Sequence, residues 1–121
     1  MTIENYRDLK VWRAGIEISV NVYRLTSSFP KHEIYALTSQ ARRAAVSMPA
    51  NIAEGHERQS TKEFLHFLSI VQGSRAELET LLRISTELEY CNRETIEPLL
   101  ARLTQLGKML RALQNSLKKR V

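Results

Sequence analysis

Apolar residues recur at helical spacing from one end of this chain to the other and nowhere alternate in a strand pattern of useful length. At 100° per residue, Ile34, Leu37, Ala41, Ala45, Met48 and Ile52 fall within about 80° of one another, which makes one stripe of an α-helix over residues 33–55. The stripe passes through Pro49, whose ring crowds the turn before it and whose missing amide leaves the Ala45 carbonyl without its partner. Met48 and Ile52 keep the phase set by Ala41 and Ala45, so the pattern predicts a kinked helix that continues through the proline. Gly55 is expected to end it in the left-handed conformation. Ala41 and Ala45 predict a close seam with a neighbouring helix.

Before this segment, residues 8–28 carry two apolar stripes whose centres lie roughly 140° apart. One is Leu9, Trp12, Ile16, Val20 and Tyr23; the other is Val11, Gly15, Ile18, Val22, Leu25 and Phe29. A helix in a lone bundle needs one broad stripe. Two predict that one faces the core and the other a second subunit, and Val11, Gly15, Ile18 and Val22 are assigned to the subunit contact. The alternative is a single wide face wrapped by a tightly packed monomer. Residues 60–90 open with Ser60-Thr61-Lys62-Glu63, a capping box with Ser60 as N-cap. Their core stripe is Phe64, Phe67, Leu68, Val71, Leu78, Leu82 and Ser85. Beside it lies a further set, Ile70, Gly73, Leu81, Ile84 and Leu88, of which Ile70 and Gly73 join the subunit contact. Gly73 costs a helix about 1 kcal/mol against alanine, which predicts a close backbone approach.

The fourth helix is expected over residues 93–118, capped by Asn92 or by Thr95. In the first case Pro98 bends it, and in the second Pro98 sits harmlessly in the first turn. Ile96, Leu99, Leu103, Leu106, Leu110, Leu113 and Leu117 alternate by three and four as a heptad seam. With three short connections, the fold predicted is all-α: an antiparallel up-down-up-down four-helix bundle, one domain over residues 1–121.

Composition narrows the setting. A chain of 121 residues can hide about two-thirds of its unfolded surface, enough for one core. A single cysteine, Cys91, excludes an internal disulfide. No secretory leader opens the chain and no apolar run nears the ~20 residues of a membrane span, so a cytoplasmic location is expected. All thirteen acids lie at or before Glu97, against twelve bases in the same stretch, while six bases follow it. The first 97 residues thus carry −1 and the last 24 carry +6, an asymmetry that points to a polyanionic partner, RNA or DNA. Helix-dipole complementation by cations near a C-terminus is the competing explanation.

On the fourth helix, Lys108, Arg111, Lys118 and Lys119 share a sector of about 100° opposite the leucine seam. Antiparallel packing brings the end of that helix beside the 2–3 turn and the start of helix one. Arg58, Lys62, Arg7, Lys10 and Arg13 would gather there, against Glu4, Asp8, Glu54, Glu57 and Glu63. Such rows neutralise phosphates without reading bases. Catalytic footholds are thin. Glu63 and His66 form a single Glu-x-x-His pair where di-iron bundles need two. Cys91 lacks any nucleophile motif, and Glu54, His56 and Glu57 read as a solvated turn. No enzyme, metal or cofactor is expected.

Several segments resemble one family. Asp8-Leu9-Lys10-Val11-Trp12, SQARRAAVSMPANIAEG over residues 39–55, Ser60-Thr61-Lys62-Glu63-Phe64, Phe67-Leu68, Gly73-Ser74 and Glu77-Leu78-Glu79-Thr80 are similar to the four-helix-bundle proteins encoded in intervening sequences of bacterial large-subunit ribosomal RNA. The accessory variability protein of diversity-generating retroelements resembles the same family. The resemblance implies a ring-like homopentamer, and for the retroelement relative it implies binding to nucleic acid and to a reverse transcriptase. The motif holds both Arg42 and Arg43, which keeps them among the nucleic-acid candidates, although an ion pair of either with Glu77 or Glu79 is the structural expectation. Where the family has Leu-Gly-Tyr, this chain has Leu88-Glu89-Tyr90, so the third helix is expected to continue or cap differently there.

Overall fold

The computed structural model describes residues 5–121; the beginning of the lead-in, with Glu4, lies outside the described residues. Four helices follow one another, α1 (Lys10–Thr26), α2 (Leu37–Glu57), α3 (Thr61–Glu87) and α4 (Arg93–Lys118). Short 3₁₀ turns at Tyr6–Asp8 and Lys31–Glu33 lead into the first two. No strand occurs among the described residues. Each helix packs on the next and α1 also packs on α4, which closes the bundle. The pairings run in opposite senses: Gly15 against Pro49 and Thr26 against Arg42 across α1 and α2, Gly55 against Phe67 and Ser47 against Ser74 across α2 and α3. The architecture is an up-down-up-down four-helix bundle.

The caps account for where the helices start. Ser60 Oγ accepts the Glu63 amide at 3.0 Å, and its hydroxyl faces the Glu63 carboxylate at 3.2 Å. Asn92 Oδ1 accepts the Thr95 amide at 2.9 Å, so Asn92, not Thr95, is the cap of α4 and Pro98 lies inside the helix. Helix α1 begins two residues later than expected, because Asn5 caps the preceding 3₁₀ turn through the Arg7 amide and Asp8 belongs to that turn. The start of α2 moves from residue 33 to Leu37 for a similar reason: Lys31–Glu33 forms its own turn, and the Glu33 carboxylate accepts the Leu37 amide at 3.3 Å. Ile34, expected on the core stripe, therefore lies in the connection and is half exposed.

One core runs the length of the bundle. Leu68, Val71, Leu78 and Leu82 of α3 and Leu103, Leu106 and Leu110 of α4 are fully enclosed, facing Ala41, Ala45, Met48 and Ile52 of α2. Each such leucine contributes roughly 1.5–3 kcal/mol by leaving water. The first helix turns inward the stripe expected at a subunit contact. Val11 and Ile18 are 4% and 1% exposed and Val22 is sealed, while Gly15 is buried against Pro49. These four residues form monomer core, which corrects the interface assignment. Of the other stripe, Ile16, Val20 and Tyr23 face outward at 39–47% exposure, while Leu9 is buried and Trp12 packs against the core.

Two glycine expectations are also corrected. Gly55 is helical with negative φ, and α2 runs on to Glu57. Its reason is packing: a Cβ there would stand 2.6 Å from Cβ of Phe67. Gly73, expected at a close approach, has nothing within 4 Å of where a Cβ would project and lies exposed.

Candidate nucleic-acid interface

The structure brings the end of α4, the α2–α3 connection and the start of α1 together at one end of the bundle. They line an open cavity of about 330 Å³. Leu9, Phe64, Leu113 and Leu117 form its apolar lining, and Arg58, Arg120, Ser60, Thr61 and Ser116 its polar rim. The juxtaposition follows from the antiparallel order, since Lys118, Thr61 and Lys10 are helix termini at the same end.

Cations at this end differ in what they already hold. Arg58 Nη2 lies 2.6 Å from Glu54 Oε2, and its guanidinium sits 4.9 Å over the Phe67 ring. That exposed pair adds little stability and can be exchanged for another anion at small cost. Arg13 folds back to donate to the carbonyls of Arg7 and Asp8, each at 3.2 Å, so it braces the turn. Lys62, Lys118, Lys119 and Arg120 are exposed. Lys108 and Arg111 continue the row up the outer face of α4. None of these six takes part in a salt bridge among the described residues. Arg102, the remaining base of this segment, is paired to Glu17 of α1.

Arg42 and Arg43 stand apart from this cluster. Arg42 Nε donates to Thr26 Oγ1 at 2.9 Å and its guanidinium lies 4.7 Å over the Tyr23 ring, so it clasps α1 to α2. The expected ion pair with Glu77 or Glu79 is not made by Arg42, and Glu79 engages Arg83 instead. Arg43 is exposed beside a shallow depression that Ser47, Ser74 and Glu77 also line. Of the proposed contact residues, Ile70 is 38% exposed and Gly73 open on the outer surface of α3.

Glu63 and His66 both point to solvent, and no group of three His, Cys, Asp or Glu side chains that could hold a metal occurs among the described residues. Among the described residues, no helix is long and apolar enough to cross a membrane. At the opposite end of the bundle the Tyr90 hydroxyl donates to Glu33 Oε2 at 2.8 Å, tying the α1–α2 connection to the α3–α4 turn. That bond, with the Leu37 amide, holds the Glu33 carboxyl below its ordinary value and pushes the Tyr90 phenol up.

Sequence reasoning missed Ser19. Pro49 leaves the Ala45 carbonyl without its helical donor, and the buried Ser19 hydroxyl reaches that oxygen at 3.2 Å while also facing the Gly15 carbonyl at 2.8 Å. The signal was present as a polar residue flanked by Ile18 and Val20 on the helix that meets the proline.

A family model described as 23S rRNA-intervening sequence protein matches residues 7–112. The chain belongs to that family. This member of the 23S rRNA-intervening sequence proteins is also similar to a solved structure from Bacteroides thetaiotaomicron, a protein of unknown function from the S23 ribosomal protein family. The TM-score is 0.77 at 25% identity, over 86% of this chain and 97% of that one. Among curated proteins nothing matches.

Proposed function

We propose that this chain is a non-enzymatic, homo-oligomeric bundle that binds RNA or other nucleic acid through its basic end and the outer face of α4. The observation that carries the reading is the exposed row Lys108, Arg111, Lys118, Lys119 and Arg120, without a salt bridge among the described residues, at the end of the bundle where Arg58 and Arg120 line the cavity and Lys62 is exposed nearby. Cations without acidic partners lose little on meeting phosphate, and they attract it in proportion to their number rather than to sequence. Assembly multiplies such rows, so weak contacts add to useful avidity. The surfaces available for assembly are Ile16, Val20 and Tyr23 of α1 with Val46 of α2, and Ile70 and Ile84 with Gly73 on α3. Two unlike apolar patches suit a heterologous, ring-closing contact, and a pentamer is the number the family resemblance implies.

Titration of the purified protein against a structured RNA at two salt concentrations tests this. Binding should weaken steeply with salt, each neutralised phosphate adding roughly 0.7–0.9 to the logarithmic slope. Absence of binding at low salt, or binding indifferent to salt, overturns it. A second reading, a scaffold that docks a protein such as a reverse transcriptase, is favoured by one observation. Tyr35 is 94% exposed beside half-exposed Ile34, in the α1–α2 connection away from the basic end. Co-purification of such a partner that survives nuclease treatment and is lost on Tyr35→Ser would support it.

A further inference from the structure

The cavity at the basic end has two halves of different chemistry. Phe64, Leu113 and Leu117 give it an apolar wall from α3 and α4, and the His56 ring stands edge-on to Phe64 at 5.7 Å. Arg58 and Arg120 line it from two separate segments of chain. The first turn of α3 opens into it at Ser60 and Thr61, where backbone amides lack helical partners and the helix dipole is positive. At about 330 Å³ it lies at the small end of ligand pockets. A flat apolar ring of nucleobase size joined to one phosphate matches this division of surface. A duplex, whose bases are stacked inside it, could offer the cavity only its phosphates.

We infer that this cavity seats one unpaired nucleotide of a bound RNA, its phosphate between Arg58 and Arg120 and its base against Phe64 and Leu113. The inference rests on the nucleic-acid reading above and adds to it a preference for single-stranded ends or loops over uninterrupted duplex. Two acids engage residues of the lining. Glu63 is engaged with Ser60, and Glu54 holds Arg58 until phosphate displaces it. Glu54 is therefore a built-in competitor, and removing its charge should favour the ligand.

The test uses the full chain with 5′-AMP, adenosine and inorganic phosphate as probes, followed by NMR of the Phe64 and Leu113 side chains. The expected result is saturable shifts with 5′-AMP, weaker ones with either half alone, at least fivefold loss in Arg120→Ala and at least twofold gain in Glu54→Gln. Both substitutions are at exposed positions, so the fold is retained. Inorganic phosphate binding as tightly as 5′-AMP would overturn the base seat. Absence of shifts with 5′-AMP, while RNA still binds in a salt-dependent manner, would sink the inference and leave the general reading standing. Failure of RNA itself to bind at low salt would remove both.

Discussion

Glu89 is the single described non-glycine residue with positive φ, at 64°. It occupies the C′ position of a Schellman motif: the Tyr90 amide bonds back to the Ser85 carbonyl and the Glu89 amide to that of Thr86, both at 2.9 Å. This is the position at which the resembled family has glycine, so the departure read as a changed helix end keeps the motif and forces a side chain into it. A left-handed L-residue carries a penalty of order 1–2 kcal/mol, part of which glycine returns in unfolded-state entropy. Glu89→Gly should therefore stabilise the protein by about 1 kcal/mol, seen as a higher urea midpoint with unchanged slope. The neighbouring Tyr90–Glu33 bond sets a pH dependence. Glu33 is held below its ordinary 4.5, so the folded state keeps this contribution above that value and loses it as pH falls through the depressed one. Tyr90 is raised above 10.0, so the same contribution is lost again as pH rises through the shifted phenol value. Urea midpoints followed from neutral pH to below 4 should fall less steeply in Tyr90→Phe than in the wild type; parallel curves would show that the bond contributes nothing.

At the scale of elements, the joint between α1 and α2 explains how a helix with an internal proline stays closely packed against its neighbour. Pro49 presents its ring to Gly15, where a Cβ would stand 3.1 Å from Cδ, and Ser19 one turn on meets the carbonyl that the proline orphans. Glycine, serine and proline thus form one unit across two helices. Ser19→Ala should cost about 1–3 kcal/mol, the penalty of a buried carbonyl left unsatisfied. In a Pro49→Ala background, where residue 49 again donates to Ala45, the same change should cost much less, and the coupling is measured by a double-mutant cycle in urea. Additive costs would sink the account. The same joint shows what the sequence discloses and what it does not. Helix number, the cap at Ser60 and the α4 leucine seam are periodic or local features, and they are visible in one dimension. The choice between Asn92 and Thr95 as the α4 cap is settled only by the bond from the Thr95 amide to Asn92 Oδ1. Which of two stripes on α1 faces inward is not visible there either, because Val11–Val22 and Leu9–Tyr23 are equally apolar and only the small residues Gly15 and Ser19, matched to Pro49, break the tie. Gly55 misled for a related reason: its glycine answers to Phe67 on α3, a partner that local turn rules do not contain. At the basic end the clustering follows from antiparallel order alone, whereas the grip of Arg42 on Thr26 and Tyr23 depends on side-chain phase between two helices.

For the whole molecule, the proposed assembly turns on the apolar surface left over after folding. The α1–α2 face presents Ile16, Val20, Tyr23 and Val46, and the α3 face Ile70, Ile84 and Leu88, all 38–50% exposed. An isolated chain gains nothing from keeping these wet, whereas a ring that buries one face against the other removes both from water and sets the cationic ends in a fixed array. Val20 lies ten residues along α1 from Lys10, about 15 Å from the basic end, and is not part of the cationic surface proposed to meet RNA. Val20→Glu places a charge in the proposed contact without disturbing the core, and light scattering should then report particles approaching the 13.9 kDa of one chain. The same variant should lose RNA affinity by at least tenfold at low salt, since its cations are intact but no longer multiplied. Ile18→Glu, by contrast, should unfold the chain, because Ile18 is enclosed in the monomer itself. A wild-type protein that already scatters as a single chain, or a Val20→Glu variant of unchanged mass, would place assembly elsewhere and leave each basic end to act alone.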